Sequence, residues 1–224
     1  MSEKIIAYKA MNPDMTCQGK KYEVGKTYFE DKADCCNAGM HACENPFEVL
    51  RYYPMKDNPR FFEVECGGEI SKSDKGSKLA CTELTVKGEL NFAGMLKATL
   101  DAVFRRVKDK EPFSSGDSST AGTSGYYSTA GTSGDYSTAG TSGYYSTAAA
   151  TGPYCRAKAE GNNSIAVANG YKSKVKGSVG CYLVLTEYDD DGNFLCADLK
   201  FVDGISIKAD TWYMIKDGLA VESE

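Results

Sequence analysis

Between residues 116 and 178 polar and apolar positions recur with a fixed period. Glycine stands at 116, 125, 134, 143, 152, 161 and 170, every interval being nine residues. Each nonapeptide can be numbered from its glycine. Column four is then Ser119, Ser128, Ser137, Ser146, Cys155, Ser164 and Ser173, column six is Ala six times and then Val175, and column eight is Thr, Ala or Gly. Charges occupy columns two, five, seven and nine, with Lys172 in column three, and never columns four, six or eight. Successive side chains of a strand point to opposite faces, so columns four, six and eight are read as the inward face of a stacked strand. A disordered Ser/Thr/Gly linker has no reason to keep charge out of three columns.

The inward residues are all small. Only a flattened tube with two close sheets is filled by Ser, Ala and Thr at protein packing density, and its inward hydroxyls need neighbouring hydroxyls or backbone groups as partners. Glycine at column one suits a sharp corner requiring positive φ. Column two alternates Asp117, Tyr126, Asp135, Tyr144, so the coil is two nonapeptides, 18 residues. Asp117 and Asp135 then share one edge and Tyr126 and Tyr144 the other. Three and a half coils at ~4.8 Å each give a solenoid about 17 Å long.

The flanks carry different periods. Lys4–Ala10 reads as a strand. Asn45-Pro46 before Phe47–Tyr53 reads as a helix start with Asn as N-cap. Phe62, Val64 and Cys66 alternate with Glu63 and Glu65, a half-buried strand. Phe92, Leu96, Leu100, Val103 and Val107 fall on one helical face. After the repeats, Cys181–Tyr188 and Phe194–Val202 flank the turn Asp189-Asp190-Asp191-Gly192-Asn193, and Thr211–Ile215 is a strand holding the single tryptophan. The expected fold is mainly β. A short parallel β-solenoid (116–178) is capped by an N-terminal α+β domain (1–115) and a C-terminal antiparallel β piece (179–224).

Charge adds little to this picture. The chain has 26 basic and 31 acidic residues, and 179–224 holds three basic and ten acidic ones. Nothing marks a nucleic-acid binder. No apolar run reaches the ~18 residues a membrane span needs, and the N-terminus lacks a signal-peptide core. Nine cysteines, an odd number, read as reduced thiols of a cytosolic protein.

Chemistry is sparse. His41 is the only histidine, within Cys35-Cys36-Asn37-Ala38-Gly39-Met40-His41-Ala42-Cys43. The spacing is not that of a zinc finger, and the cysteines read as small core residues. A Cys–His nucleophile is the alternative there. Asp189–Asp191 reads as an acidic turn, without the rest of a calcium loop. No metal or cofactor is expected. The binding candidates are Tyr126, Tyr127, Tyr136, Tyr144 and Tyr145 with Asp117 and Asp135, in outward columns two and three, together with Tyr154 and Tyr171. Exposed aromatics at this density mark either a contact surface or packing on a flanking domain or second copy.

Three resemblances attach to quoted segments. Gly39–Cys43 before a helix resembles strand–helix junctions of ADP-ribosyltransferase-like folds, implying an enzyme or nucleotide binder around His41. Gly161–Gly177 resembles head repeats of trimeric autotransporter adhesins. Gly39–Cys43 with Asn45-Pro46, the nonapeptides, Gly180–Glu187 and Asp210–Met214 together are similar to an uncharacterised family encoded by phages and mobile elements of Gram-positive bacteria. That resemblance implies a non-enzymatic accessory protein of the bacterial cytoplasm. It would bind a protein partner, such as a host defence complex that it inhibits in the manner of an anti-CRISPR, and could be a homo-oligomer. A trimeric structural phage component is a further alternative.

Overall fold

The computed structural model describes residues 4–74, 76–109 and 113–224, without the side chains of 104–109. The chain forms two compact units, Met1–Ala102 and Val103–Glu224.

In the first unit the strands are β1 (Ile5–Met11), β2 (Thr16–Cys17), β3 (Lys20–Lys21), β4 (Thr27–Phe29), β5 (Met40–Cys43), β6 (Arg60–Lys72) and β7 (Lys78–Leu90). β2 and β3 form a separate hairpin. The other five run in the order β4-β7-β5-β1-β6, and β7 also pairs with β6. The antiparallel sheet therefore closes into a small barrel through β1, β5, β7 and β6. Closure is possible because β6 and β7 are 13 residues each and slip register at Glu63/Val64 and Gly67/Ile70, irregularities that bend a strand. Phe62, Val64 and Cys66 point inward and are fully buried with Leu79, Cys81, Leu84 and Val86, as their alternation requires.

Two local expectations change. Pro46–Arg51 is a 3-10 helix rather than an α-helix, and Asn45 makes no side-chain cap. Glu48 is drawn instead to the Ser77 N–H and hydroxyl at 2.8 and 2.9 Å. The long helix α1 (Phe92–Asp109) is present, but its buried stripe is Met95, Leu96, Thr99, Ala102 and Val103. Leu100 is only half-buried, and the side chain of Val107 lies outside the described residues.

The second unit contains the solenoid. Its strands are β8 (Phe113–Ser115), β9 (Thr120–Thr123), β10 (Thr129–Ser133), β11 (Thr138–Thr141), β12 (Thr147–Thr151), β13 (Arg156–Ala159), β14 (Ile165–Asn169) and β15 (Lys174–Gly177). They are followed by β16 (Tyr182–Tyr188), β17 (Phe194–Phe201), β18 (Trp212–Lys216) and β19 (Leu219–Ser223). One sheet runs β17-β16-β14-β12-β10-β8 and the other β19-β18-β15-β13-β11-β9. The repeat strands pair in parallel with partners 18 residues apart, such as Ala130↔Ala148 and Ala139↔Ala157. The solenoid has about four turns, because β8 and β16 extend the first sheet at its two ends. The C-terminal segment continues both sheets, β17 antiparallel to β16 and β18 antiparallel to β15.

The inward columns are as expected. Ser137, Ser146, Ser164, every column-six residue, and Thr132, Thr141, Ala150, Ala159 and Ala168 are buried. In the even units the column-four hydroxyl secures the corner: Ser128 and Ser146 donate to the Gly125 carbonyl at 2.6 and 2.9 Å, and Ser164 to that of Gly143 at 2.8 Å. The odd units lack this pattern: the buried column-four hydroxyls of Ser137 and Ser173 have no partner among the described residues, and neither do those of Thr132 and Thr141 in column eight.

The corner conformation differs from expectation. The left-handed residue is column three in all seven units, Ser118, Tyr127, Tyr136, Tyr145, Tyr154, Asn163 and Lys172, with φ from 50° to 59°. Among the column-one glycines only 116, 134 and 152 have positive φ. What column one requires is space. A Cβ on Gly134, Gly143, Gly152, Gly161 or Gly170 would lie 1.9–2.5 Å from the carbonyl oxygen of the glycine one coil below.

Columns five and seven point outward in both sheets with different results. In the first sheet Thr129, Thr147, Ala149, Ile165 and Val167 are buried. In the second the outer face is polar. Arg156 stacks in register on Lys174 and Lys158 on Lys176, with Arg156 5.7 Å and Lys176 5.0 Å from the Trp212 ring. No described helix is long and apolar enough to cross a membrane.

Two glycines separate the spatial requirement from the conformational one. Gly143→Ala places a methyl on backbone that cannot move aside and should destabilise by more than about 2 kcal/mol. Gly140→Ala, on an open strand face with no atom within 4 Å, should be neutral or stabilise by up to about 1 kcal/mol. Urea unfolding of the two variants measures both.

Candidate functional site

The barrel wall opens at one seam. β1 pairs with β6 along all seven of its residues and β5 with β7 along all four, but β1 and β5 meet only at Tyr8↔Cys43. A cleft of about 390 Å³ occupies the seam, lined from β1 by Tyr8, Lys9 and Ala10 and from β5 by Met40–Cys43.

Three ammonium groups converge on it. Lys9, only 5 % exposed, donates to the His41 carbonyl at 2.8 Å and lies 5.2 Å from the Tyr22 ring centroid. Lys78 stands over the Tyr52 ring at 4.6 Å and donates to Cys36 Sγ at 3.7 Å. Lys20 pairs with Glu30 at 2.6 Å. Glu30 is the only carboxylate in the lining, and among the described residues no carboxylate is within ion-pair reach of Lys9 or Lys78.

The remaining polar groups are neutral. His41 Nε2 accepts the Cys36 N–H at 3.0 Å, so a neutral His41 carries its proton on Nδ1. Burial, and then the Lys78 and Lys9 charges, hold His41 below the ordinary histidine value. Burial pushes the Tyr52 phenol up to about 12 and raises those of Tyr22 and Tyr53. The cleft thus offers excess positive charge, protonated phenols and aromatic walls.

The sequence singled out His41 here but none of the three lysines. One signal was available: Lys9 is the lone charge inside the otherwise uncharged strand Ile5–Met11. The Cys–His nucleophile is not formed, because His41 is held by the Cys36 backbone rather than a thiol, and Cys43 is buried with its thiol pushed well up by desolvation. Among the described residues no group of three or more His, Cys, Asp or Glu is arranged to hold a metal ion. All nine cysteines are free. Asp189 organises its turn by accepting the Asp191 and Asn193 N–H groups at 3.0 and 2.7 Å.

The solenoid candidates fall into two groups. Tyr126 stacks on Tyr144 at 5.4 Å and Tyr127 on Tyr145 at 5.3 Å, two columns side by side on one edge. The opposite edge carries Asp117, Asp135 and Tyr136, with Asp135 N–H donating to Asp117 Oδ1 at 3.2 Å and Tyr136 stacked on Tyr154 at 4.9 Å. Tyr126, Tyr136 and Tyr144 are 69, 60 and 45 % exposed, whereas Tyr127 and Tyr145 are half-buried. The seven residues therefore make two edges, not one surface.

Residues 5–98 match the domain of unknown function DUF7666. The match takes in the whole barrel and every cleft residue, and it ends inside α1, before the repeats. No curated protein and no solved structure matches the chain.

The lowered His41 value sets a pH dependence for the first unit. The unfolded chain binds a proton near pH 6.5 while the folded state resists it. Stability should therefore fall as pH drops through that value and level off below the folded pKa. NMR titration of the single imidazole should give a midpoint below 6.5, and His41→Gln should flatten that part of the stability profile.

Proposed function

We propose that the DUF7666 unit is a binding domain for an anionic small molecule with a planar ring, of which a nucleotide is the representative class. The observation that carries this reading is Lys9: a buried ammonium in the cleft wall with no carboxylate within ion-pair reach among the described residues. Burying an unpaired charge is costly, and an anionic ligand would supply the missing partner. Lys20 and Lys78 add charge around the same space, and the Tyr22 and Tyr52 rings offer apolar walls for a base. Ligand sites take this form, concave and aromatic with a few converging polar groups. The proposal concerns binding, and no turnover is assigned.

Lys9→Met keeps the volume and removes the charge. Affinity for adenosine triphosphate, measured by isothermal titration, should fall at least tenfold, about 1.4 kcal/mol. Stability of the ligand-free protein should hold or rise, since an unpaired buried charge is gone. A wild-type protein that binds no nucleoside phosphate at millimolar concentration would sink the reading.

A second reading rests on the solenoid edge and is supported by a separate observation. On the edge that carries Tyr126 and Tyr144, Tyr127 and Tyr145 both sit in the left-handed region, where a non-glycine residue costs roughly 1–2 kcal/mol. Asn163 occupies the equivalent corner position with a residue type that tolerates it better. The exposed rings of Tyr126 and Tyr144, stacked on each other, offer a protein partner aromatic contact area. On this reading the edge contacts a protein partner; the phage resemblance would make that a bacterial defence complex. Tyr126→Ala/Tyr144→Ala should then abolish the specific capture seen with the wild type in a comparative pull-down, and equal capture by both proteins would exclude that edge.

A further inference from the structure

We propose that Cys35 and Cys36 are a redox-active vicinal dithiol at the mouth of the cleft, with Cys36 the entry thiol, Cys35 the resolving thiol, and anionic low-molecular-weight disulfides the reactant. The inference rests on the cleft reading for its consequence but not for its chemistry. Cys36 is exposed, its Sγ is 3.9 Å from that of Cys35, and its φ is +78°. A side chain in that region is strained unless something requires it, and Gly or Asn would make the turn more cheaply. The turn is fixed on both sides. Asp34 and Ala38 exchange N–H···O bonds at 2.8 and 3.0 Å, and Gly39 is packed so closely that a Cβ would meet the Lys32 carbonyl at 2.9 Å. Strain held in a rigid turn, with a thiol at its apex, points to a use for that thiol.

The surroundings select the reactant. Lys78 Nζ is 3.7 Å from Cys36 Sγ, and Lys9 and Lys20 line the same cleft. An anionic disulfide is drawn to this sulfur, whereas a cationic one is repelled. Cys35 is the poorer first nucleophile, its thiol raised to about 11 by burial and by its contact with Cys36.

The exchange balances in two steps. Cys36 sulfur attacks one sulfur of the disulfide. Its proton leaves to solvent, the disulfide bond breaks, and one low-molecular-weight thiolate departs and is protonated. Cys35 sulfur then attacks Cys36 sulfur, loses its own proton and expels the second thiol. The two protein thiols are oxidised by two electrons, and the small disulfide is reduced to two thiols. Ring closure redirects the peptide between Cys35 and Cys36. The N–H of that peptide is the donor to His41 Nε2, so oxidation releases the imidazole into the cleft.

Oxidised glutathione is the probe, with cystamine as its cationic counterpart. In the wild type, peptide mass mapping should show a Cys35–Cys36 disulfide that dithiothreitol reverses. Cys35→Ser should stop at a glutathione adduct on Cys36. Oxidised glutathione should react several-fold faster than cystamine, and Lys78→Gln should erase that preference. The single histidine should shift its NMR titration on ring closure. Adducts without ring closure in the wild type, reaction confined to Cys196, no preference for the anionic disulfide, or an unmoved His41 would each overturn the assignment. Adenosine triphosphate affinity is measured separately on each redox form. If the reduced protein does not bind, the cleft reading falls while the mapping still decides the thiols. If both forms bind equally, the control of the cleft by the thiols falls alone.

Discussion

The repeat unit is governed by how closely one glycine corner can approach the next. From Gly134 onward each column-one glycine rests against the carbonyl of the glycine 18 residues earlier, with no room for a methyl group. That contact sets the coil spacing, and the spacing sets the rest. Ala130↔Ala148↔Ala166 stack in register, the small inward side chains fill the space between two sheets, and the even-unit serines reach the corner carbonyls they hydrogen-bond. The tyrosine ladders follow from the same repeat, since rings on successive coils fall about one strand spacing apart. A larger residue in columns six or eight would force the sheets apart, and with them the corners.

The barrel obeys a different constraint. Its closure depends on two long strands, β6 and β7, that are bulged enough to let the sheet meet itself. Once β6 and β7 pair, β1 and β5 are each fully bonded on their outer sides and share one bridge between them. The seam is thus a product of closure rather than of any local sequence. It leaves backbone polar groups facing a cavity, and the Lys9 ammonium answers one of them, the His41 carbonyl. A cation used this way has no carboxylate within ion-pair reach among the described residues.

This difference explains what could be read from the residues alone. The inward columns, the 18-residue coil and the edge assignment of Asp117, Asp135, Tyr126 and Tyr144 were legible because each column repeats a single environment seven times. The positive φ expected at column one is present only in Gly116, Gly134 and Gly152; from Gly134 onward glycine serves a close approach there, and the left-handed corner falls in column three, on Tyr in four of the seven units. The cleft was nearly invisible. Lys9, Tyr22, Tyr52 and Lys78 are scattered over 70 positions of sequence and meet only through barrel closure. The helix at Pro46 came out as a 3-10 turn for a similar reason, since the Asn45 backbone N–H donates to the Ser77 hydroxyl and the Glu48 carboxylate accepts from Ser77, on a remote segment.

Backbone strain links the two units as a common signature. In the solenoid the left-handed corner falls on Tyr four times, and in the barrel a comparable turn falls on Cys36. In neither place does the turn itself need that side chain, since Asn163 makes the same corner in the repeat and glycines make the neighbouring turns of the barrel. Four of the positive-φ residues carry stacked tyrosine rings and one carries the Cys36 thiol beside Lys78, while others, such as Met15, Ser118, Lys172 and Asp217, carry neither. Packing requirements alone would have favoured Gly or Asn at these positions. At Cys36 and the four tyrosines the side chain meets a neighbour that Gly or Asn would not, and it is there that side-chain chemistry competes with the cost of the turn.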